Sequence, residues 1–217
     1  MQEEFCKRAN KITMGKTIIG IVGSYRKGRV IDSAVTEILK GAESVGAKTV
    51  KIYLIDKQIE FCNNCRTCMQ EPGEKRGECV HDDDMEEILQ QIDEADGYVL
   101  GSPVNLGTVT AIMKQFMERL AVYAYWPWGK IAPKFRNEKL NKKAVIVTSF
   151  TPPAWIGRLI LPGAPKALKY IAKVLGARVL KVLYFGMVAG KPEAGIDEKS
   201  LRRAFKAGKE LARELAE

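Results

Sequence analysis

Residues 17–33, Thr17-Ile-Ile-Gly-Ile-Val-Gly-Ser-Tyr-Arg-Lys-Gly-Arg-Val-Ile-Asp-Ser33, decide how the rest of the chain is read. Thr17–Val22 is a short apolar run closed by Gly23, the pattern of a strand buried on both faces. Ile31, Val35, Ile38 and Leu39 then recur at helical spacing. Between strand and helix lie Gly23 and Gly28, which permit unusual turns, the hydroxyl of Ser24, and the cations Arg26, Lys27 and Arg29. A helix start offers free N–H groups, so this turn is suited to a phosphate. It ends in no Gly-Lys-Ser/Thr and lacks the G-x-G-x-x-G spacing, so it is neither a P-loop nor a dinucleotide fingerprint.

Downstream, strand and helix patterns keep alternating. Thr49–Ile55, Tyr98–Leu100, Ala144–Val147 and Val179–Phe185 read as strands. Helices are marked by Met85, Ile88, Leu89 and Ile92; by Ile112, Met113, Phe116, Met117 and Leu120; by Lys166–Leu175; and by Leu201, Phe205, Leu211 and Leu215. The expectation is one α/β domain over residues 14–217, a five-stranded parallel sheet with helices on both faces, preceded by a loose tail at 1–13. Asp82, Asp83 and Asp84 suit the positive end of the helix that follows them.

Ligands of such sheets bind at the carboxyl ends of the strands. Two further segments fall there. In Gly101–Gly107, Ser102 and Asn105 are placed to hydrogen-bond a planar heterocycle, with Pro103 and Leu106 against its face, and Val104 and Gly107 completing the turn. Thr148, Ser149 and Phe150 hold the matching place after the fourth strand, ahead of Thr151, Pro152 and Pro153. Together with the first loop they outline a cleft with a phosphate end and a ring end.

Cys62-Asn-Asn-Cys65-Arg-Thr-Cys68, with Cys79 beyond, forms a cysteine-rich insertion at about 61–81. Thiols at every third position can converge, which points to a metal or redox centre rather than a disulfide framework. Redox-active free thiols and a structural zinc are the other readings of these residues. Cys6 reads as an ordinary thiol, and the lone His81 as a surface or capping residue. Tyr123-Ala-Tyr-Trp-Pro-Trp128 reads as a hydrophobic plug, a subunit interface or a substrate-pocket wall, and the apolar loop Trp155–Leu161 could join the interface.

The net charge is +9, but Lys and Arg are interleaved with acids through every segment, so nucleic acid is not an expected partner. Apolar runs are strand-sized, too short for a bilayer. An N-terminus carrying acids and no apolar core implies no signal peptide and a cytoplasmic, reducing location. With one histidine and no Gly-x-Ser-x-Gly, a serine triad has no support.

Gly23–Lys27, the cysteine cluster followed by Asp82-Asp83-Asp84-Met85, Ser102-Pro103-Val104 and Lys114–Arg119 occur in an order that resembles the NAD(P)H-dependent FMN reductase and iron–sulfur flavoprotein group of flavodoxin-like proteins. The resemblance covers about residues 16–150. It implies a flavodoxin-like three-layer sandwich that binds FMN, with the phosphate on the first loop (Ser24, Tyr25, Arg26, Lys27, Gly28, Arg29 and Ser33) and the ring on the Ser-Pro-Val loop. It also implies a [4Fe–4S] cluster on Cys62, Cys65, Cys68 and Cys79, NAD(P)H or reduced ferredoxin as electron donor, a quinone, flavin or carrier as acceptor, and a homodimer or homotetramer. Val30 and Ile31 stand where that group commonly has Asn-Thr, and Asn105 where it commonly has Tyr. The resemblance assigns no catalytic acid or base. A non-enzymatic electron carrier and a zinc-stapled interaction protein are the competing functions.

Overall fold

A computed structural model describes residues 15–137, 139–190 and 195–216. The expected tail at 1–13, with Cys6, lies outside them. Five parallel strands form the sheet: β1 (Thr17–Val22), β2 (Lys48–Tyr53), β3 (Gly97–Pro103), β4 (Lys142–Ser149) and β5 (Ala177–Phe185). Their order is β2-β1-β3-β4-β5. The chain reverses direction across the sheet between β1 and β3, and in open α/β sheets that switch opens a crevice at the strand ends.

Helices α1 (Val30–Glu43), α2 (Met85–Glu94), α3 (Ala111–Arg119), α4 (Ala154–Ile160), α5 (Gly163–Val174) and α6 (Glu198–Glu214) complete the fold. Strand side chains alternate between two cores. Ile18, Val22, Val99, Val145 and Val147 pack against α1 and α6. Ile19, Ile21, Tyr98, Leu100 and Ile146 pack against α2, α3 and α5. Burying both faces explains why the central strands read as continuous apolar runs.

The fold is therefore as expected, with shifts at element ends. The expected second strand, Thr49–Ile55, gives way at Leu54 to a short 3-10 turn, Leu54–Asp56. The third continues through Ser102 to Pro103, because β4 runs beside it and pairs Ser102 with Thr148 and Pro103 with Ser149. Trp155–Leu161, expected as loop, is mostly helical (α4) and leaves Trp155 and Leu159 largely exposed. No helix of the described residues is long and apolar enough to cross a membrane.

Candidate functional site

The ends of β1 and β3 are laced together before any ligand is considered. The Gly23 N–H donates to Gly101 O at 2.7 Å, and the Thr110 hydroxyl donates back to Gly23 O at 2.7 Å. Ser24 is buried, and its Oγ accepts the Arg26 N–H. Tyr25 reaches over to α3, where its phenol oxygen accepts the Ala111 N–H at 3.1 Å. Lys27 is ion-paired with Asp56 and sits over the Tyr53 ring. Gly28 takes the left-handed φ of +68°, and its N–H is held by Asp32. Arg29 is the residue before α1, in extended backbone, and Ser33 sits half-exposed in the first turn.

Asp32 is the hidden support of this loop. Its carboxylate accepts from Gly28 N–H, Lys51 Nζ at 3.0 Å and Tyr53 Oη at 2.9 Å. Burial pushes its pKa up, but these three donors together hold it below the usual carboxylate value. Sequence reading missed Asp32 because two of its three partners, Lys51 and Tyr53, lie on β2.

Beside this loop lies a cleft of about 400 Å³. It is lined by Arg26, by residues 103–105 and 149–151, and by residues 188–190, after β5. The cleft thus gathers Arg26, Pro103, Val104, Asn105, Ser149 and Phe150 at or just past the ends of three strands, as the strand-end argument anticipates. Phe150 is almost wholly buried and stacks on Tyr184, with ring centres 5.9 Å apart. Residues 188–190 were missed. They carry no polar motif, but their place at the end of β5 follows from the same strand-end rule.

Ten expected cofactor-binding residues do not line this cleft: Ser24, Tyr25, Lys27, Gly28, Arg29 and Ser33 stay in the loop and helix start beside it, and four lie elsewhere. Ser102 is fully buried, its Oγ donating to Pro103 O and accepting from Thr110 N–H, so its hydroxyl is engaged within the protein. Thr148 is fully buried one strand over. Leu106 and Gly107, both at positive φ, form the tip of a two-residue hairpin closed by reciprocal bonds between Asn105 and Thr108. Leu106 projects into solvent there and meets no ring face in the cleft.

The cysteine insertion is packed on the α2/α3 side. Asn64 and Arg66, on either side of Cys65, both have left-handed backbone, so the chain turns sharply at that thiol. The Arg66 guanidinium is sandwiched between Trp126 at 3.9 Å and Trp128 at 4.2 Å and donates to Trp126 O. The tryptophans expected to form a plug or interface therefore clamp the insertion. Arg136 donates to the carbonyls of Cys68, Glu71 and Gly73. At Gly77 a Cβ would stand 1.8 Å from Cys68 O, so only glycine lets the segment leading to Cys79 return this closely.

Asp83 and Arg119 close the base of the insertion. Asp83 accepts the N–H groups of Glu60 and Met85 and pairs with Arg119, which donates to Glu60 O at 2.9 Å and to Cys79 Sγ at 3.4 Å. The aspartates ahead of α2 thus lace the insertion as well as face a helix N-terminus. Cys62, Cys65, Cys68 and Cys79 are unpaired. Burial, then the charges of Cys79, Cys62 and Cys65, push the Cys68 thiol up to about 11. The four sulfurs share one electrostatic neighbourhood, but among the described residues no three His, Cys, Asp or Glu side chains are arranged to hold a metal.

Known proteins resemble this chain in sequence and in fold. An iron–sulfur flavoprotein of Archaeoglobus fulgidus is 37% identical over 109 residues, 50% of this chain and 47% of that protein. One of Methanocaldococcus jannaschii is 40% identical over 102 residues, 47% of this chain and 50% of that protein. The chain spans about half the length of the curated relatives it matches. Among solved structures, an NAD(P)H:quinone oxidoreductase from Methanothermobacter marburgensis superposes with a TM-score of 0.66 at 16% identity, covering 90% of this chain and 98% of that one. An FMN-dependent NADH-azoreductase from Bacillus anthracis, solved with FMN, gives 0.60 at 16% identity, covering 94% and 100%. At such identity these two likenesses show the flavodoxin-like fold alone. The sequence match is what settles descent: residues 17–159 fit the NADPH-dependent FMN reductase family, and the chain belongs to it.

Proposed function

We propose that the cleft at the β1/β3 switch binds FMN and that the protein is an FMN-dependent oxidoreductase. The observation that carries this is the meeting of Arg26 with residues 103–105 and 149–151 around one cavity at the strand ends. The family match and the FMN named for a structural neighbour support it. FMN would bring the electron-accepting and electron-donating chemistry. Arg26 meets the anionic end, assisted by the turn that Asp32 holds in shape. Lys27, already paired with Asp56, and Arg29, at the mouth of α1, add positive potential. Pro103 and Val104 offer apolar contact to the ring, and Asn105 and Ser149 offer polar contact to its edge.

For the cysteines we favour a [4Fe–4S] cluster on Cys62, Cys65, Cys68 and Cys79. Thiols at this spacing in the sequence are the ligand type such clusters take, and a guanidinium is already bonded to one sulfur. The printed names of the curated relatives point the same way. Four unpaired thiols suit a reducing compartment such as the cytoplasm. NAD(P)H or a reduced protein carrier is the proposed donor, and a quinone, flavin or second carrier the acceptor. The exposed Trp155 and Leu159 of α4, near the cleft, suit burial in a homodimer or homotetramer.

The test is an anaerobic absorption spectrum with flavin, iron and sulfide analysis, followed by steady-state NAD(P)H oxidation with a quinone. Flavin bands with a broad iron–sulfur shoulder and turnover support the whole reading. Flavin and cluster without turnover favour an electron carrier. A colourless protein carrying zinc, even after reconstitution, overturns the redox reading.

A further inference from the structure

We propose that the face formed by α5 and the segment before β4 is a docking surface for an acidic protein, which inserts an apolar side chain there between its own carboxylates. The expectation of evenly interleaved charge fails in this part of the chain. From Arg119 to Pro192 the sequence carries fourteen Lys and Arg and one carboxylate, Glu138, which lies outside the described residues. Some of these cations are engaged within the fold: Arg119 by Asp83, Arg136 by backbone carbonyls, Lys142 by the carbonyls of Ile92 and Asp93, and Arg178 and Lys181 by acids of α6. Lys130, Lys134, Lys139, Lys166, Lys169 and Lys173 are exposed, and none is ion-paired with a described carboxylate.

These six lysines share one face. Lys166, Lys169 and Lys173 recur at helical spacing along the solvent side of α5. Lys139 O lies close to Gly176, just past the end of that helix. Lys134 sits between Pro133 and Phe135, and the Phe135 ring meets Tyr170 of α5 edge-on at 5.7 Å. Lys130 O accepts the indole N–H of Trp126 at 2.8 Å. Beside the lysines lies an apolar recess of about 250 Å³, whose lining includes Met117, Trp126, Phe135, Tyr170, Ile171 and Val174. Glu118 is the carboxylate that lines it, and Lys114 already pairs with that side chain at 2.8 Å. The recess shares no lining residue with the cleft at the strand ends. Sites for drug-sized ligands run to about 300–1,000 Å³, so this one suits an anchoring side chain better than a cofactor. An apolar centre with a charged margin is the anatomy of a protein interface. Nucleic acid is served less well, because bases need free aromatic faces and Trp126 and Trp128 already hold Arg66 between them. Carboxylates facing the lysines would steer the encounter, and the anchor in the recess would fix its register.

The experiment uses the full-length protein and a fluorescent synthetic peptide of Glu and Ser residues around a central Phe, followed by anisotropy. Binding should weaken steeply as salt rises, and the same peptide with Ser in place of Phe should bind several-fold more weakly. Lys169→Glu with Lys173→Glu should lower the affinity roughly tenfold, mainly through the association rate. Arg203→Glu with Lys206→Glu makes the same change of net charge at exposed positions of α6 and should cost less than about threefold. Ala121→Leu narrows the recess and should erase the preference for the Phe peptide. Equal losses from the two charge reversals would mean that the peptide reads net charge rather than this face, and they overturn the proposal. Absence of binding at low salt overturns it too. So does tighter binding, at the same salt, of phosphatidylglycerol vesicles or a DNA oligonucleotide that Lys169→Glu with Lys173→Glu abolishes, since the face then belongs to a membrane or to nucleic acid. Both charge reversals lie at exposed positions and decide the matter even if Ala121→Leu does not fold.

Discussion

The main-chain N–H of Gly28 is held by the carboxylate of Asp32 at 2.6 Å, which ties the tip of the first loop to the first turn of α1. Because Asp32 keeps a lowered folded-state pKa, its contribution to stability is complete above about pH 4 and fades as pH falls through that lower value. Asp32→Asn should cost about 2 kcal/mol at pH 7, leaving Lys51 without its anion. The variant's stability should also vary less with pH between about 2 and 5 than the wild type's. Urea unfolding at several pH values measures both effects, and an unchanged midpoint at pH 7 would show that Asp32 holds nothing.

Gly77→Ala probes the return of the insertion. Its Cβ would collide with the backbone carbonyl of Cys68, which Arg136 also holds, so neither side can yield cheaply. Overpacking of this kind costs about 1–3 kcal/mol. The loss should be local: faster cleavage of residues 61–80 in limited proteolysis, with the sheet core retaining its amide protection.

How much of this was legible beforehand differs between the two regions. Thr17–Val22 and Ala144–Val147 announced themselves because strands buried on both faces need unbroken apolar runs. The cleft followed from topology, since every parallel strand ends on the same side. What stayed hidden were the details of those ends. Ser102 and Thr148 look like ligand-facing hydroxyls in sequence, yet they are paired neighbours inside the sheet because β3 runs farther than its apolar run suggests. The insertion was visible from its cysteines. Its supports were not, because Arg119 and Asp83 reach it from α3 and the start of α2, and no local pattern links them to a sulfur.

The thiols of the metal-free protein should react unequally. Cys65 is exposed, and the hydroxyl and N–H of Thr67 hold its pKa below the ordinary thiol value. Cys68 is held near 11. Since the thiolate is the nucleophile, iodoacetamide at pH 8 should modify Cys65 roughly tenfold or more faster than Cys68. Thr67→Val should slow Cys65 specifically. Peptide mass spectrometry over a time course reads both rates, and equal labelling of the two cysteines would contradict the assigned environments.

In the proposed FMN site, Arg26 would meet the phosphate and not the ring. FMN and riboflavin share the ring and differ in the phosphate, so a residue that meets only the anionic end should distinguish them. Arg26→Glu replaces attraction by repulsion at the edge of the cleft. A charge-assisted contact of this type is worth about 1.5–3 kcal/mol, so FMN affinity should fall roughly tenfold to a hundredfold. Riboflavin affinity should change by less than about threefold, since no charged contact is lost. Added salt should weaken FMN binding to the wild type more than to the variant, because screening acts on the attraction that the variant lacks. Fluorescence titration with both flavins measures all of this. Equal losses for the two would move Arg26 to the ring end and put the phosphate elsewhere on the first loop.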